Sequence, residues 1–311
     1  MLAGMVDSRR SVSPELAAKI ACDEYGLHAS VEPLTGERDV NFRLSCDDGR
    51  AYVLKIANAD EPPGVADLPI AALLHLEQVD RELPCPRVRR SRHGQASIKW
   101  QDDTGRSRTA HVLTFLTGKP LRSASRSRAQ RAACGRIAAR IGRALKSFRH
   151  PAAHRQLIWD LRQLPKTRLL LEALPEFPER RLVTEFIESF ETRIRPRFIS
   201  LRQQIIHNDL NDRNILVDTA DETVITGIID YGDMLHTALI ADLAVSIAEQ
   251  TTEISSLEET VDDLVCAYED VEPLQAPELE ILQPLIAARI VMSVVIPTWH
   301  RMKNPASSHY A

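Results

Sequence analysis

The sequence predicts an α+β chain with a small β-rich N-terminal lobe, residues 1–117, and a larger, mainly helical C-terminal lobe, residues 118–311. Three observations point there. Short apolar runs bounded by turn residues crowd the first 115 positions. After Leu116-Thr117-Gly118-Lys119-Pro120 the apolar residues recur at helical spacing instead. One island of strand, Ile215 to Ile229, then interrupts the helical half.

Ser13-Pro14 sets a capping hydroxyl before a proline at the first helical position, and Gly26 follows the last turn, so residues 14–25 read as a helix. Asn41 to Cys46 and Ala51 to Ile56 flank Asp47-Asp48-Gly49-Arg50, which reads as a hairpin turn. A helix near 66–79 and strands near 86–90, 96–100 and 108–115 follow, with Asp102-Asp103-Thr104-Gly105 looping between the last two. Beyond them, helices are expected at 124–149, where Ile137, Ile141, Leu145 and Phe148 share a face, and at 180–193, 237–250, 256–271 and 278–295. Ser256 and Glu259 form a capping box for the fourth of these.

The net charge of -4 speaks against a nucleic-acid binder that works by bulk positive charge. The charge is unevenly placed. Segment 87–149 carries 17 Lys and Arg against Asp102 and Asp103, whereas segment 207–280 carries 19 acids against Arg213. Such a chain can neutralise an anion with one region and attract a cation with the other. Five scattered cysteines without a CxxC pair read as reduced thiols. The N-terminus has no apolar leader and the run Ile290 to Ile296 is too short to span a bilayer, so a cytoplasmic protein without a membrane partner is expected.

The chemistry gathers at the strand island. If Ile215-Leu216-Val217 pairs with Val224 to Ile229 as a hairpin, Asn214 before the first strand and Asp230 after the second lie side by side at its open end. Asp209 sits five residues upstream on the entering loop. Two carboxylates and a carboxamide there suit a hard, oxygen-seeking cation such as Mg²⁺, with one carboxylate left over as a base.

His207-x-Asp209-x4-Asn214 followed by Ile229-Asp230-Tyr231-Gly232-Asp233 resembles the catalytic and metal-binding loops of the aminoglycoside phosphotransferase and choline kinase family, small-molecule relatives of protein kinases. The resemblance implies a bilobal protein-kinase-like fold, a nucleotide donor (ATP or GTP) and Mg²⁺ held by Asn214 and Asp230. It implies Asp209 as the catalytic base and His207 as support of its loop. In the N-terminal lobe, Gly36 to Phe42, with Gly36 and Asn41, corresponds to a phosphate-covering loop. Lys55, in Tyr52-Val53-Leu54-Lys55-Ile56, corresponds to the α/β-phosphate-binding lysine, and Thr114 to Gly118, with Thr114 and Leu116, to the purine-contacting segment. An acid on the inserted helix should orient the lysine; Asp67 and Glu77 both qualify, and the likeness of Val65-Ala66-Asp67-Leu68 to the start of that helix favours Asp67. Asp233 reads as a loop-positioning residue and Asp242, in an apolar helix, as a hydrogen-bond partner of the catalytic loop. Asn208 stands where Gly is commoner in the family.

Within the family, Gly36-Glu37-Arg38-Asp39, Leu113 to Gly118, Trp159-Asp160-Leu161 and His207 to Leu216 look like hydroxylysine kinase-like phosphotransferases. They imply transfer of a γ-phosphoryl to the hydroxyl of a small amine or amino acid, with 5-hydroxylysine the best single choice; another aminated acceptor or a non-catalytic nucleotide-binding module are the competing readings. Trp159, Asp160, Asp233 and Glu249 are the candidates for meeting the acceptor, the three acids for its amine. Arg155, Arg162, Arg181 and Arg193 are the cations in the helical half that could meet a carboxylate.

Overall fold

In the computed structural model, which describes residues 12–36, 38–62, 64–102, 105–251 and 257–303, the chain divides into two compact units. The first comprises residues 1–78 and 85–116, the second residues 79–84 and 117–311. Residues 1–11, Glu37, Asp103, Thr104 and Ser256 of the expected capping box lie outside the described residues.

The first unit opens with α1 (Pro14–Tyr25), which starts where the Ser13 hydroxyl accepts the Leu16 N–H and stops where Gly26 turns to φ 67°. Six strands form one antiparallel sheet: β1 (Ala29–Leu34), β2 (Val40–Cys46), β3 (Ala51–Ile56), β4 (Val88–Arg89), β5 (Ile98–Gln101) and β6 (Ser107–Thr114). The order is β1-β2-β3-β6-β4, with β5 paired to β6. Gly49, at φ 82°, closes the β2–β3 hairpin in a backbone region that L-residues rarely enter. Strand alternation separates the two faces. Tyr52, Leu54 and Ile56 of β3 point into a core with Phe42, Leu44, Ala110, Val112 and the buried face of α1, which leaves Lys55 on the opposite face. The inserted helix is α2 (Asp67–Val79).

The second unit is helical except for short strands that hold loops in place. Its strands are β7 (Lys119–Pro120), β8 (Gln203–Ile206), β9 (Ile215–Val217), β10 (Ile225–Ile228) and β11 (Leu235–Ala238). They form a three-stranded sheet, β10-β9-β7, and a two-stranded one, β11-β8. The helices are α3 (Arg128–Leu145), α4 (Thr167–Glu172), α5 (Arg180–Ser189), α6 (Arg195–Ser200), α7 (Ile240–Gln250), α8 (Leu257–Glu269) and α9 (Ala276–Lys303). Differences from the expected bounds have local causes. The Ser127 hydroxyl caps α3 by accepting the Gln130 N–H, so the helix begins there. Helix α5 passes into a π-helical turn, Phe190–Ile194, before Pro196 opens α6. Residues 235–238 are claimed by pairing with β8, which postpones α7 to Ile240.

Helix α9 is longer than expected, 28 residues, and among the described residues it is the helix long and apolar enough to cross a membrane by length and composition. Half of its apolar window is buried inside the protein. Its polar residues pair as core residues do: Glu278, fully buried, with Arg202 at 2.7 Å, and Arg289 with two carboxylates described below.

Helices α3 and α8 touch at Gly135, where a Cβ would fall inside the van der Waals envelope of the Leu264 carbonyl. Both partners there are backbone, so neither can rotate away. Gly135→Ala should therefore lower the denaturation midpoint, by about 1–3 kcal/mol of stability despite the better helix propensity of Ala. Chemical denaturation of the two proteins at equal pH tests it, and an unchanged midpoint would contradict the close approach.

Candidate functional site

The second unit holds the loop on which the motif residues meet. Strand β8 delivers the chain to His207, and the next two backbone N–H groups, of His207 and Asn208, both end on the buried Asp242 carboxylate of α7, at 3.0 and 2.6 Å. Asn208 takes φ 66°, a left-handed conformation that explains why Gly is common there and why Asn, among L-residues, is tolerated. Its carboxamide is buried with neither polar atom bonded among the described residues.

His207 ties this loop to the next one. Its Nδ1 accepts the Asp209 N–H at 3.2 Å, which places the ring proton on Nε2, 3.2 Å from the Ile229 carbonyl. Burial pushes the imidazole down to about 4, so the neutral ring that this bonding needs is the one present near neutrality. The edge of the ring meets Tyr231 at a centroid distance of 4.6 Å.

Asp209 is gripped from three sides. Asn211 Nδ2 and Arg289 Nη2 donate to Oδ1 at 2.9 and 3.1 Å, and Asn214 Nδ2 donates to Oδ2 at 2.7 Å. Removal from water pushes the carboxyl up to about 7; Asp233 and Asp230 push in the same direction, while Arg289 and the Asn211 bond oppose them. The hairpin behind it pairs Ile215 with Ile228, and the Ile229 N–H reaches the Asn214 carbonyl at 2.9 Å, so Asn214 and Asp230 flank its open end. Asp230 is itself left-handed, φ 63°, and its Oδ1 accepts the Gly232 N–H.

Among the described residues no group of three His, Cys, Asp or Glu side chains is gathered for a metal. The donor set that the loop does offer is hard. With Nδ2 of Asn214 spent on Asp209, its carboxamide oxygen and the Asp230 carboxylate are the oxygen donors that the residues flanking the open end of the hairpin carry. Two oxygen donors fit Mg²⁺, which keeps most of its shell for phosphate and water.

The first unit presents the lysine. Asn41 lies opposite Lys55 across β2 and β3, and His111 lies opposite it on β6. The buried His111 ring is held down to about 3 by burial and by the neighbouring ammonium. Gly36 lets the Asn41 carboxamide and the Asp39 carbonyl fold close, since a Cβ there would meet them at 2.5 and 2.6 Å. Asp39 stands 3.8 Å from Lys55 Nζ, an acid outside the inserted helix on which Asp67 and Glu77 lie. The β2–β3 register is the reason, because it stands the residues entering β2 over the lysine, whereas Asp67 opens α2 in its first turn. Thr114, ending β6, exchanges bonds with Arg87 through its N–H and Oγ1, and Leu116 closes the unit, half-buried.

The expected acceptor-binding residues separate into two groups. Asp160 is 1% exposed; it caps a 3-10 turn by accepting the Arg162 N–H and takes the Arg162 Nε at 2.8 Å, so its carboxylate is engaged in structure. Glu249 and Trp159 instead converge on Arg289: Glu249 Oε1 accepts from its Nε at 2.9 Å, and the Trp159 ring lies 4.7 Å from the guanidinium carbon. Asp233, buried in the turn after Asp230, belongs to the charge environment of Asp209. Among the described residues none of the four arginines suggested by sequence donates to Asp209, though Arg155 reaches the loop that follows Asp230. Arg155 donates to the Gly232 and Met234 carbonyls, Arg162 holds Asp160, Arg181 faces solvent beside Glu185, and Arg193 is exposed. Arg289 carries no motif; its one sequence signal is a lone cation within the apolar run Leu285 to Ile296.

Asp242 has a pH signature. Burial raises it to about 7, against the pull of its two N–H donors, so the folded state holds its proton more tightly than the unfolded chain. The stability it contributes is complete below the ordinary carboxylate range and falls as pH rises through 7. Asp242→Asn should flatten this part of the denaturation-midpoint profile between pH 5 and 8, and Asp242→Ala, which strands two buried N–H groups, should cost about 2–5 kcal/mol and most of the activity. An identical pH slope in wild type and Asp242→Asn would contradict it.

Comparison with known proteins agrees with this geometry. A family model described as the phosphotransferase enzyme family matches residues 30–278. A hydroxylysine kinase of Mus musculus is 28% identical over an alignment that covers 92% of this chain and 82% of the relative; one of Danio rerio is 27% identical, with 98% and 88% covered. Among solved structures, an amicoumacin kinase in complex with AMP-PNP, Ca²⁺ and Ami superposes with a TM-score of 0.73 at 16% identity, covering 93% of this chain and 87% of that one. A microcompartment-associated aminopropanol kinase gives 0.64 at 18% identity, with 91% and 88% covered. The fold is that of the kinase-like aminoglycoside phosphotransferases, and the chain belongs to the phosphotransferase enzyme family.

Proposed function

We propose that this protein is a Mg²⁺-dependent small-molecule kinase that transfers the γ-phosphoryl of ATP or GTP to the hydroxyl of an amino-group-bearing metabolite, with 5-hydroxylysine as the acceptor. The observation that carries the reading is the triple grip on Asp209 by Asn211, Asn214 and Arg289 beside the open end of the β9–β10 hairpin. A module that only binds nucleotide has no chemical need of an oriented, half-buried carboxylate at that place. The hydroxylysine kinases of mouse and zebrafish, aligned over more than four fifths of their length, support this choice of acceptor.

Asp209 takes the proton of the acceptor hydroxyl as its oxygen attacks the γ-phosphorus and the nucleoside diphosphate leaves. Its carboxylate is fixed before the acceptor arrives, which removes an orientational cost from the reaction. Lys55 orients the α- and β-phosphates, and Gly36 and Asn41 shape the loop that covers them. Asn214 and Asp230 hold Mg²⁺, which supplies charge neutralisation on the phosphates when bound. Thr114 and Leu116 lie on the segment that contacts the purine. The acids near Asp209 meet the acceptor's amine. Such a reaction belongs in the cytoplasm, where nucleotide triphosphates and free Mg²⁺ are plentiful.

The direct test is nucleotide consumption with ATP and with GTP against 5-hydroxylysine, homoserine, choline, an aminopropanol and an aminoglycoside, with the phosphorylated product identified by ³¹P NMR. Turnover of choline or the aminoglycoside and none of hydroxylysine, under either nucleotide, would remove the acceptor assignment. Asp209→Asn should lower kcat by about 10²–10⁴ while nucleotide affinity stays near the wild-type value, since the change removes the proton acceptor and no phosphate contact. Asp230→Ala should instead weaken Mg²⁺-nucleotide binding measured by calorimetry. Wild-type turnover in Asp209→Asn would show that the base lies elsewhere.

A further inference from the structure

We propose that Arg289 is the residue that recognises a carboxylate on the acceptor, so that the site takes hydroxylated amino acids in preference to carboxylate-free amino alcohols. The inference rests on the kinase reading above and adds to it a specificity-determining residue.

Arg289 is 4% exposed on a helix whose neighbouring positions are apolar. Its guanidinium is fixed on two of its three nitrogens, Nε by Glu249 Oε1 at 2.9 Å and Nη2 by Asp209 Oδ1 at 3.1 Å. The Glu249 oxygen is fixed in turn by the Ser293 hydroxyl at 3.0 Å. The Trp159 ring covers the guanidinium, 4.7 Å from its central carbon. The third nitrogen, Nη1, is buried with no hydrogen-bond partner among the described residues. A charged donor buried in that state is costly, and a native protein that keeps one beside its reacting group has a use for it.

An oxoanion is the chemistry that this nitrogen recognises: a planar guanidinium already immobilised at its other nitrogens loses little freedom on accepting one. Two sources exist, the acceptor's carboxylate and the transferring phosphoryl group. The two oxygens of Asp209 decide between them. Oδ2 faces Asn214, one of the two residues assigned to Mg²⁺ and hence to the phosphates, whereas Oδ1 faces Arg289. The guanidinium therefore stands at the opposite carboxylate oxygen from the nucleotide, where the acceptor must lie for its hydroxyl to reach the base. Trp159, whose ring covers the guanidinium, is a half-buried residue on a turn outside any helix or strand.

The experiment compares kcat/KM for 5-hydroxylysine and for its α-carboxamide, which keeps the hydroxyl and both amines and loses the negative charge. Wild type should prefer the acid by about 10- to 100-fold. In Arg289→Met both rates fall, because Asp209 loses a partner, but the ratio of acid to amide should collapse to about one; Arg289→Lys should give an intermediate ratio. Where turnover is too slow to measure, the same ratio is read from calorimetric titration of the acid and the amide, and Arg289→Lys serves if Arg289→Met does not fold by circular dichroism. A wild-type ratio of about one overturns the inference, as does a ratio that survives both substitutions while the rates fall, which would assign Arg289 to the phosphoryl group or to structure alone. Consumption of nucleotide with amino alcohols and none with, or binding of, any hydroxy amino acid overturns it and leaves the kinase reading intact. No consumption with any acceptor, together with equal binding of acid and amide, removes both.

Discussion

Two backbone N–H groups ending on one buried carboxylate set the position of everything downstream in the second unit. Asp242 receives the N–H of His207 and of Asn208, and through them fixes where the chain leaves β8 and how it turns at φ 66°. From that turn the geometry propagates by short hydrogen bonds. His207 orients the Asp209 N–H through Nδ1 and the Ile229 carbonyl through Nε2; Asn211 and Asn214 then orient the Asp209 carboxylate. His207, Asn214 and Asp242 are buried and each is hydrogen-bonded within this network, so the loop is held in place without belonging to a helix or a sheet.

The same constraint explains why the strand island exists in a helical unit. A hairpin of three and four residues is too short to be stable by itself. Here β9 is covered on its other edge by β7, and the Ile228 N–H is taken by the Pro84 carbonyl at 2.7 Å. Strand β11 similarly closes β8 just before the loop. The small strands act as clamps on either side of residues 207–214, and their cost in length is offset by burial: Ile205, Ile206, Ile215, Val217 and Ile228 are all 1% exposed or less.

How much of this was legible in the sequence follows from how local each signal is. Capping and periodicity are local, so α1, the β2–β3 hairpin and α2 read closely, and so did the hairpin that puts Asn214 beside Asp230. Strands β7, β8 and β11 were hidden, because, unlike the β9–β10 hairpin, each pairs with a strand distant in sequence and no turn between them marks it. Asp242 was legible as a polar residue in an apolar helix that needed a partner, and the loop is that partner. The approach of Asp39 to Lys55 was not legible, since the β2–β3 register brings it there across the sheet. Arg289 was invisible for a similar reason: its neighbours Asp209, Glu249 and Trp159 lie 80, 40 and 130 positions away along the chain.

The charge asymmetry of the sequence takes on a different meaning in the fold. Read along the chain, an acidic segment holding the base looks like a lure for cationic acceptors. In space, much of that acid is answered by the basic segment or by nearby arginines. Arg131 and Arg128 on α3 meet Asp263 on α8, Arg126 meets Asp212, Lys119 meets Glu222, and Arg202 meets both Glu272 and Glu278. These pairs fasten helices and loops of one unit to each other, and their fields largely cancel at a distance of a Debye length. The electrostatics at Asp209 are therefore set locally, by Asp230 and Asp233 on one loop and by Arg289, which Glu249 on α7 also holds. The charge around that carboxylate thus depends on a few groups packed beside it, and the long-range balance of the two segments has little part in it.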